Sequence, residues 1–202
     1  AKRNEFTFNG QLIIGYGGSE AIQSPQTLWN KVAKDLLHDL NVDIGQFDTA
    51  FDHKLYASLG LSRAVFFARE AFGRDALVSG DPHTLSGDNE TQPLGSAKPM
   101  AEFIAGFPVS DASKAQLLAL YDVSRDPLAG KTLQEKLKLL KITSYRDYLT
   151  KICGCSEEAA NCFQGRTLEF YGLGCDSVPA ADAHEMGYPG FAGLKLPGGS
   201  AP

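Results

Sequence analysis

Alternation of apolar and polar positions marks the first element. Phe6 and Phe8 fall on one face of an extended run over 5–8, Asn9-Gly10 is the pair a two-residue hairpin turn prefers, and 11–14 forms the return strand. A hairpin of this size is only marginally stable alone, so missing sheet partners are expected beside it. The period then changes. Leu28, Trp29, Val32, Ala33, Leu36, Leu37 and Leu40 recur at helical spacing behind Ser24 as N-cap and Pro25 at the first helical position, which predicts a helix over about 25–40. Residues 43–59 read as short helical pieces and 61–67 as a strand. Residues 79–99, rich in glycine, proline and polar side chains, read as a mobile or irregular excursion.

From there the pattern is helical over 97–106, 110–122, 132–141, 144–153, 156–171 and 178–186. Ser110, Ser144 and Ser156 stand as N-caps, and Thr132 with Glu135 has capping-box spacing. The stretch 187–202 returns to glycine, proline and small residues. The predicted class is α+β, mainly helical, with a β-hairpin at the N-terminus followed by a helical subdomain. Its expected parts are 1–24 (hairpin and glycine turn), 25–78 (helix and mixed segment), 79–99 (irregular loop) and 100–202 (helical subdomain and tail).

Composition narrows the class of partner. At 43% hydrophobic and 21% charged over 202 residues, the chain can bury a sizeable core. Its 24 acidic against 19 basic residues give a net charge of -5, which repels a phosphate backbone and argues against nucleic acid. No apolar run approaches the roughly 20 residues of a membrane span, and 1–30 lacks the pattern of a signal peptide. Ala1 stands just ahead of the hairpin with no initiator methionine, so a fragment or processed product is expected.

Several catalytic motifs fail at a defining position. Gly130-Lys131-Thr132 resembles the end of a P-loop, but Arg125 occupies the place of its first glycine. His184-Glu185 begins like a zinc-protease helix, yet Tyr188 stands where the second histidine belongs, and no metal site is expected. No Gly-x-Ser-x-Gly nucleophile elbow occurs. Cys153, Cys155, Cys162 and Cys175 lack paired zinc spacing and read as buried thiols, with a 162–175 or 153–175 disulfide as the alternative. Lys131, Lys136, Lys138 and Lys141 read as a solvated helix face, and His38, His53 and His83 as ordinary surface or core histidines.

One glycine cluster remains. Gly15-Tyr16-Gly17-Gly18-Ser19 follows a strand as a dinucleotide-binding loop would, but Glu20 replaces the third fingerprint glycine, so a ligand-free tight turn and a phosphate or flavin contact both stay open.

The series Ala-Lys-Arg-Asn-Glu-Phe at 1–6, Gly-Tyr-Gly-Gly-Ser-Glu at 15–20 and Ser24-Pro25 before the helix resembles flavin-containing amine oxidoreductases just after their first dinucleotide-binding unit. Further pieces are similar to the bacterial spermidine-dehydrogenase-like branch. They are Thr49-Ala50-Phe51-Asp52, Tyr56 with Ser58-Leu59-Gly60-Leu61, Val65-Phe66-Phe67, Ser144-Tyr145-Arg146-Asp147-Tyr148-Leu149, and Gly187-Tyr188-Pro189-Gly190-Phe191-Ala192-Gly193-Leu194. The order of the pieces, not any one of them, carries the specificity. Both the Gly-x-Gly-x-x-Gly loop for the ADP half and the C-terminal return to the flavin domain are absent from this sequence.

The resemblance implies an internal segment of a two-domain flavoenzyme that removes a hydride from the carbon beside an amine, with FAD as acceptor, giving an imine that water hydrolyses. It implies that Arg3, and less directly Lys2, approaches the cofactor while Gly17, Gly18 and Ser19 line the flavin. It places a polyamine or other amine under the helical segment, with Glu169, Tyr171 and Asp176 as substrate-side candidates. It also implies a periplasmic or secreted parent and, as in some related dehydrogenases, leaves room for a haem. The remaining part of the parent polypeptide is the expected partner, and the segment alone is expected to be inactive. Two readings from other classes stand beside it: a helical binding module without cofactor, and a nicotinamide-dependent dehydrogenase fragment with Asp39 as the ribose acid.

Overall fold

The computed structural model describes residues 4–15, 29–48, 52, 54–82 and 97–198. By their contacts they belong to two units, 1–52 and 53–202, a division that falls inside the predicted 25–78 segment.

In the first unit, β1 (Asn4–Phe8) pairs antiparallel with β2 (Gln11–Gly15), and Phe8 faces Gln11 across the turn. Asn9 and Gly10 both take positive φ, 48° and 76°, as a type I′ turn requires, so the predicted hairpin is present with its turn chemistry. The helix that follows starts later than its periodicity predicts. Asn30 is extended, its side chain accepts from the Ala33 amide at 3.0 Å, and α1 spans Lys31–Asp39. An asparagine cap satisfies an end amide that no preceding turn can reach, and this ends the helix on its N-terminal side. Ser24 and Pro25 lie outside the described residues. In α1 only Leu37 is buried, while Val32 and Leu36 on the apolar stripe are exposed. A 3-10 turn, Ile44–Asp48, completes the described part of the unit.

The second unit opens with α2 (Leu55–Ser58) and a second hairpin. Its strands are β3 (Ala64–Phe67) and β4 (Ala76–Ser79), joined through the helical turn α3 (Arg69–Phe72). The strand in 61–67 was predicted; β4 and α3 carry too short a pattern to be seen in the sequence. Asp75 closes the connection by accepting from the Arg69 amide at 2.9 Å and from its guanidinium. Phe67 and Val78 point into the core, whereas Phe66 and Leu77, opposite one another, point outward. Of the excursion predicted over 79–99, Ser79 ends β4, and its two feet are joined where the Lys98 amide donates to the Gly80 carbonyl at 2.9 Å. Residues 83–96 lie outside the described residues.

Helices α4 (Met100–Ala105), α5 (Asp111–Ala119) and α6 (Leu133–Ile142) follow. Ser110 caps α5, and Thr132 and Glu135 form the complete capping box of α6. Ser144 caps α7 (Tyr145–Asp147), which runs on into a π turn, Tyr148–Ile152. The helix predicted over 156–171 is two helices instead, α8 (Glu157–Asn161), capped by Ser156, and α9 (Leu168–Tyr171). Between them the Gln164 carbonyl accepts from the Cys175 amide at 3.1 Å and the Thr167 hydroxyl donates to the Leu173 carbonyl at 2.6 Å. These bonds to the returning loop replace the helical ladder. Helix α10 (Ala180–Glu185) and a 3-10 turn, Ala192–Leu194, end the described chain.

The core of this unit joins the segments 144–149 and 187–194. Tyr145 and Tyr148, both fully buried, donate to the carbonyls of Pro189 and Gly190 at 3.0 and 2.6 Å. Phe191 stacks on Tyr148 with ring centroids 4.6 Å apart, and Tyr188 stacks on Tyr145 at 5.7 Å. Gly190 has φ +104°, and a Cβ there would stand 3.2 Å from the Tyr148 ring, so only glycine fits easily against it.

Lys136 is not part of a solvated face: it is 8% exposed, its Nζ is 2.6 Å from an Asp126 carboxylate oxygen, and it also reaches the Leu194 carbonyl. A long aliphatic stem can lie along apolar surface while its head finds a partner that sequence spacing does not reveal. Lys131, Lys138 and Lys141 are exposed as expected. All four cysteines are free thiols, with 153, 155 and 175 buried and 162 half-buried, so neither alternative disulfide forms.

Candidate functional site

Two places in the second unit gather groups with chemical potential. The first is a hollow between the β3–β4 hairpin, α4 and α5, and the turn after α8. Gly80, with φ +86°, ends β4 in a conformation that glycine tolerates, and the amides of Gly80 and Asp81 both donate to the Arg63 carbonyl. On the other wall the Arg166 amide donates to the Phe163 carbonyl, and its own carbonyl accepts from the Tyr188 hydroxyl at 2.7 Å. The two side chains meet as an ion pair, with Arg166 Nη2 3.8 Å from Asp81 Oδ2 and both largely enclosed.

Arg166 Nη1 is buried with no hydrogen-bond partner, and its guanidinium carbon lies 5.7 Å from the Phe163 ring centroid. An enclosed guanidinium N–H without an acceptor costs about 1–3 kcal/mol, partly offset by the ring face. Burial pushes the Tyr121 hydroxyl up to about 12, with Arg166 opposing and Asp81 adding to the shift, so it stays a phenol. Burial likewise pushes the Cys162 thiol up to about 12, which removes it as a nucleophile at neutral pH. The enclosed part of the hollow has room for roughly one water molecule. The arrangement can hold an acceptor oxygen of that size, and it offers an organic amine neither space nor net negative charge. Nothing in the sequence pointed to it, because Asp81, Tyr121 and Arg166 lie far apart along the chain and share no motif.

The second place is the outer face formed by α9 and α10. Glu169 is exposed on α9 and Tyr171 is half-buried at its end. Burial, then the carboxylates of Asp182 and Glu185 on α10, push the Tyr171 hydroxyl up. Glu169 and Tyr171 also act on Tyr188, whose hydroxyl is pushed up to about 12 mainly by burial. The structure therefore brings two of the three substrate-side candidates together. Asp176 goes elsewhere: its carboxylate accepts from the Gln164 amide nitrogen at 2.8 Å, beside Cys175. The sequence reading missed Asp182 and Glu185, although the absence of any lysine or arginine from 167 through 194 was there to be seen.

The cofactor-side candidates Arg3, Gly17, Gly18 and Ser19, and Lys2 with them, lie outside the described residues. So do His53 and His83 and, of the piece at 49–52, residues 49–51. The neighbouring Gly15 ends β2, and a Cβ on it would stand 3.2 Å from the Phe6 ring, so its small size serves the hairpin itself. Asp39, the ribose acid of the nicotinamide reading, is exposed at the end of α1 beside His38 and not at a strand end. Among the described residues no group of three or more His, Cys, Asp or Glu could hold a metal ion, and no helix is long and apolar enough to cross a membrane. No protein-family model and no curated protein matches the chain.

Proposed function

We propose that the chain is a segment of a flavin-dependent amine oxidoreductase of the spermidine-dehydrogenase-like branch, acting in the periplasm or outside the cell. The observation that carries this reading is the ordered series of sequence pieces from 1–6 to 187–194. Two structural features support it. The hairpin holds Phe6 and Phe8 at 60% and 68% exposure, as a sheet element does when its covering layer belongs to the remaining part of the parent. The α9–α10 face, with Glu169, Asp182 and Glu185 and no lysine or arginine in its own sequence, sets up a negative field that concentrates cationic amines near the protein.

In the complete parent, FAD accepts the hydride taken from the carbon beside the amine. On this reading the role of the described residues is structural and electrostatic, and the segment alone turns nothing over. The parent polypeptide, with its upstream dinucleotide-binding unit restored, should carry FAD and reduce a dye in the presence of spermidine. Gly18→Val should lower flavin occupancy by blocking close backbone approach, while Lys138→Ala, at an exposed helix position, leaves it unchanged. A restored parent that carries no flavin overturns the family reading. Tight stoichiometric FAD binding with turnover by the segment alone overturns its status as an incomplete part.

A stand-alone helical binding module remains the second reading, favoured by the closed core of 53–202. It requires a protein that folds cooperatively, stays colourless and ignores added FAD.

A further inference from the structure

Three large apolar side chains stand out of the protein within one short turn of chain: Leu168 at 54% exposure, Phe170 at 37% and Leu173 at 51%. Single exposed leucines are ordinary, but three exposed large apolar side chains within six residues, with acidic residues beside them, form a candidate interaction surface. This one is held rigidly. The Gly172 amide donates to the Leu168 carbonyl at 3.0 Å, with φ +63° at Gly172 closing the helix, and the Thr167 hydroxyl holds the Leu173 carbonyl. Two of the three side chains therefore project from a helical turn and the third from the hydrogen-bonded loop that closes it, which lowers the backbone ordering a partner must bring about.

The aspartates, glutamates, lysines and arginines of 167–194 are all of one sign. Glu169 lies within the group, Asp182 and Glu185 act on Tyr171 at its edge, and 167–194 supplies no lysine or arginine. The nearest arginine, Arg166, turns its guanidinium inward to Asp81. An apolar centre inside an acidic rim is complementary to an apolar anchor flanked by bases, and it repels an anionic lipid surface.

We infer that the α9 face is a docking surface for a basic amphipathic segment of a partner protein, with Leu168, Phe170 and Leu173 receiving its apolar anchors and Glu169, Asp182 and Glu185 pairing with its lysines or arginines. This inference is independent of the flavin reading, which uses the same carboxylates only as a long-range field.

The test uses the full chain and a fluorescein-labelled leucine–lysine peptide of about 15 residues, long enough to form an amphipathic helix. Anisotropy should show saturable binding, and the matching leucine–glutamate peptide should show none. Leu168→Glu with Leu173→Glu should weaken binding at least about tenfold, and so should Glu169→Lys with Glu185→Lys. These positions are exposed, so near-ultraviolet circular dichroism of the buried tyrosines should be unchanged in both variants. Amide shifts on binding should centre on 168–185. Unaltered affinity in the leucine variant, with spermidine displacing the peptide, would overturn the inference and leave the face as a collector of amines. A concentration-dependent dimer lost in the same variant would overturn it in favour of a second copy of this chain.

Discussion

The two units spend similar sequence patterns in opposite ways. Helix α1 has the clearer apolar periodicity, yet most of its stripe faces outward and Leu37 alone is buried, while α6, with a weaker pattern, buries Leu140 completely. What separates them, among the described residues, is the packing each finds. Helix α6 packs against α10, whose neighbouring segment is tied to the chain before α7 through the Ser144–Pro179 bridge. Periodicity states which face of a helix wants cover; it does not state whether this chain supplies the cover.

That contrast can be broken by mutation, because the single tryptophan, Trp29, reports on the first unit and the buried tyrosines report on the second. The largest effect is expected from Leu140→Ala, which should destabilise the tyrosine-monitored transition by about 2–5 kcal/mol in urea. Leu36→Ala, on the exposed stripe of α1, should change stability by about 0.5 kcal/mol or less. Equal losses at the two positions would erase the distinction between the units.

Next comes Lys136→Ala, which leaves the Asp126 carboxylate without the ammonium it holds at 2.6 Å. A loss of about 1–2 kcal/mol is expected, discounted because the Asp126 side chain keeps 27% of its surface in solvent. Lys138→Ala should be neutral within about 0.5 kcal/mol, so this pair of substitutions separates the buried lysine from the solvated one.

Asn30→Ala should cost about 1 kcal/mol of helix stability in α1, seen as faster amide exchange over 31–35 and a change in Trp29 fluorescence. The tyrosine signal should stay where it was.

The smallest effect concerns pH. Hydrogen bonds from the Ser110 and Ser113 hydroxyls and the Ser110 amide hold the Glu158 carboxyl below its ordinary value. Since its folded value is depressed, its contribution is present above the unfolded glutamate range of about 4.3 and is lost as pH falls through the folded value. Glu158→Gln should therefore flatten the tyrosine-monitored acid transition slightly and leave stability at pH 7 and above lower than in the parent chain.

What was legible in the sequence was local. Asn9-Gly10, Ser110, Thr132 with Glu135, Ser144 and Ser156 each act on a backbone group within three residues, and each does in the structure what its residue type requires. What was hidden depends on partners distant in sequence. Lys136 looked solvated because Asp126 and Leu194 lie beyond any helical spacing, and the break between α8 and α9 rests on Cys175 and Leu173 returning to Gln164 and Thr167. The candidate site divides the same way. Glu169 and Tyr171 were named from the sequence, whereas Asp182 and Glu185 joined them only when α10 folded back, and the Arg166–Asp81 pair spans two walls of a hollow that no motif announces.

The π turn at Tyr148–Ile152 sets an angular phase. The Cys153 amide donates to the Tyr148 carbonyl five residues back, so one residue is taken up without advancing the helix by its usual share of rotation. Deleting one residue from 149–152 would therefore restore a plain α ladder and leave the chain after it in nearly the same rotational phase relative to α7. The Cys153 carbonyl would still meet the Arg125 guanidinium it accepts from, and Cys155 would stay in the core. A π turn of this kind confines its extra residue to one turn, and the side chains packed around the rest of the segment do not register it.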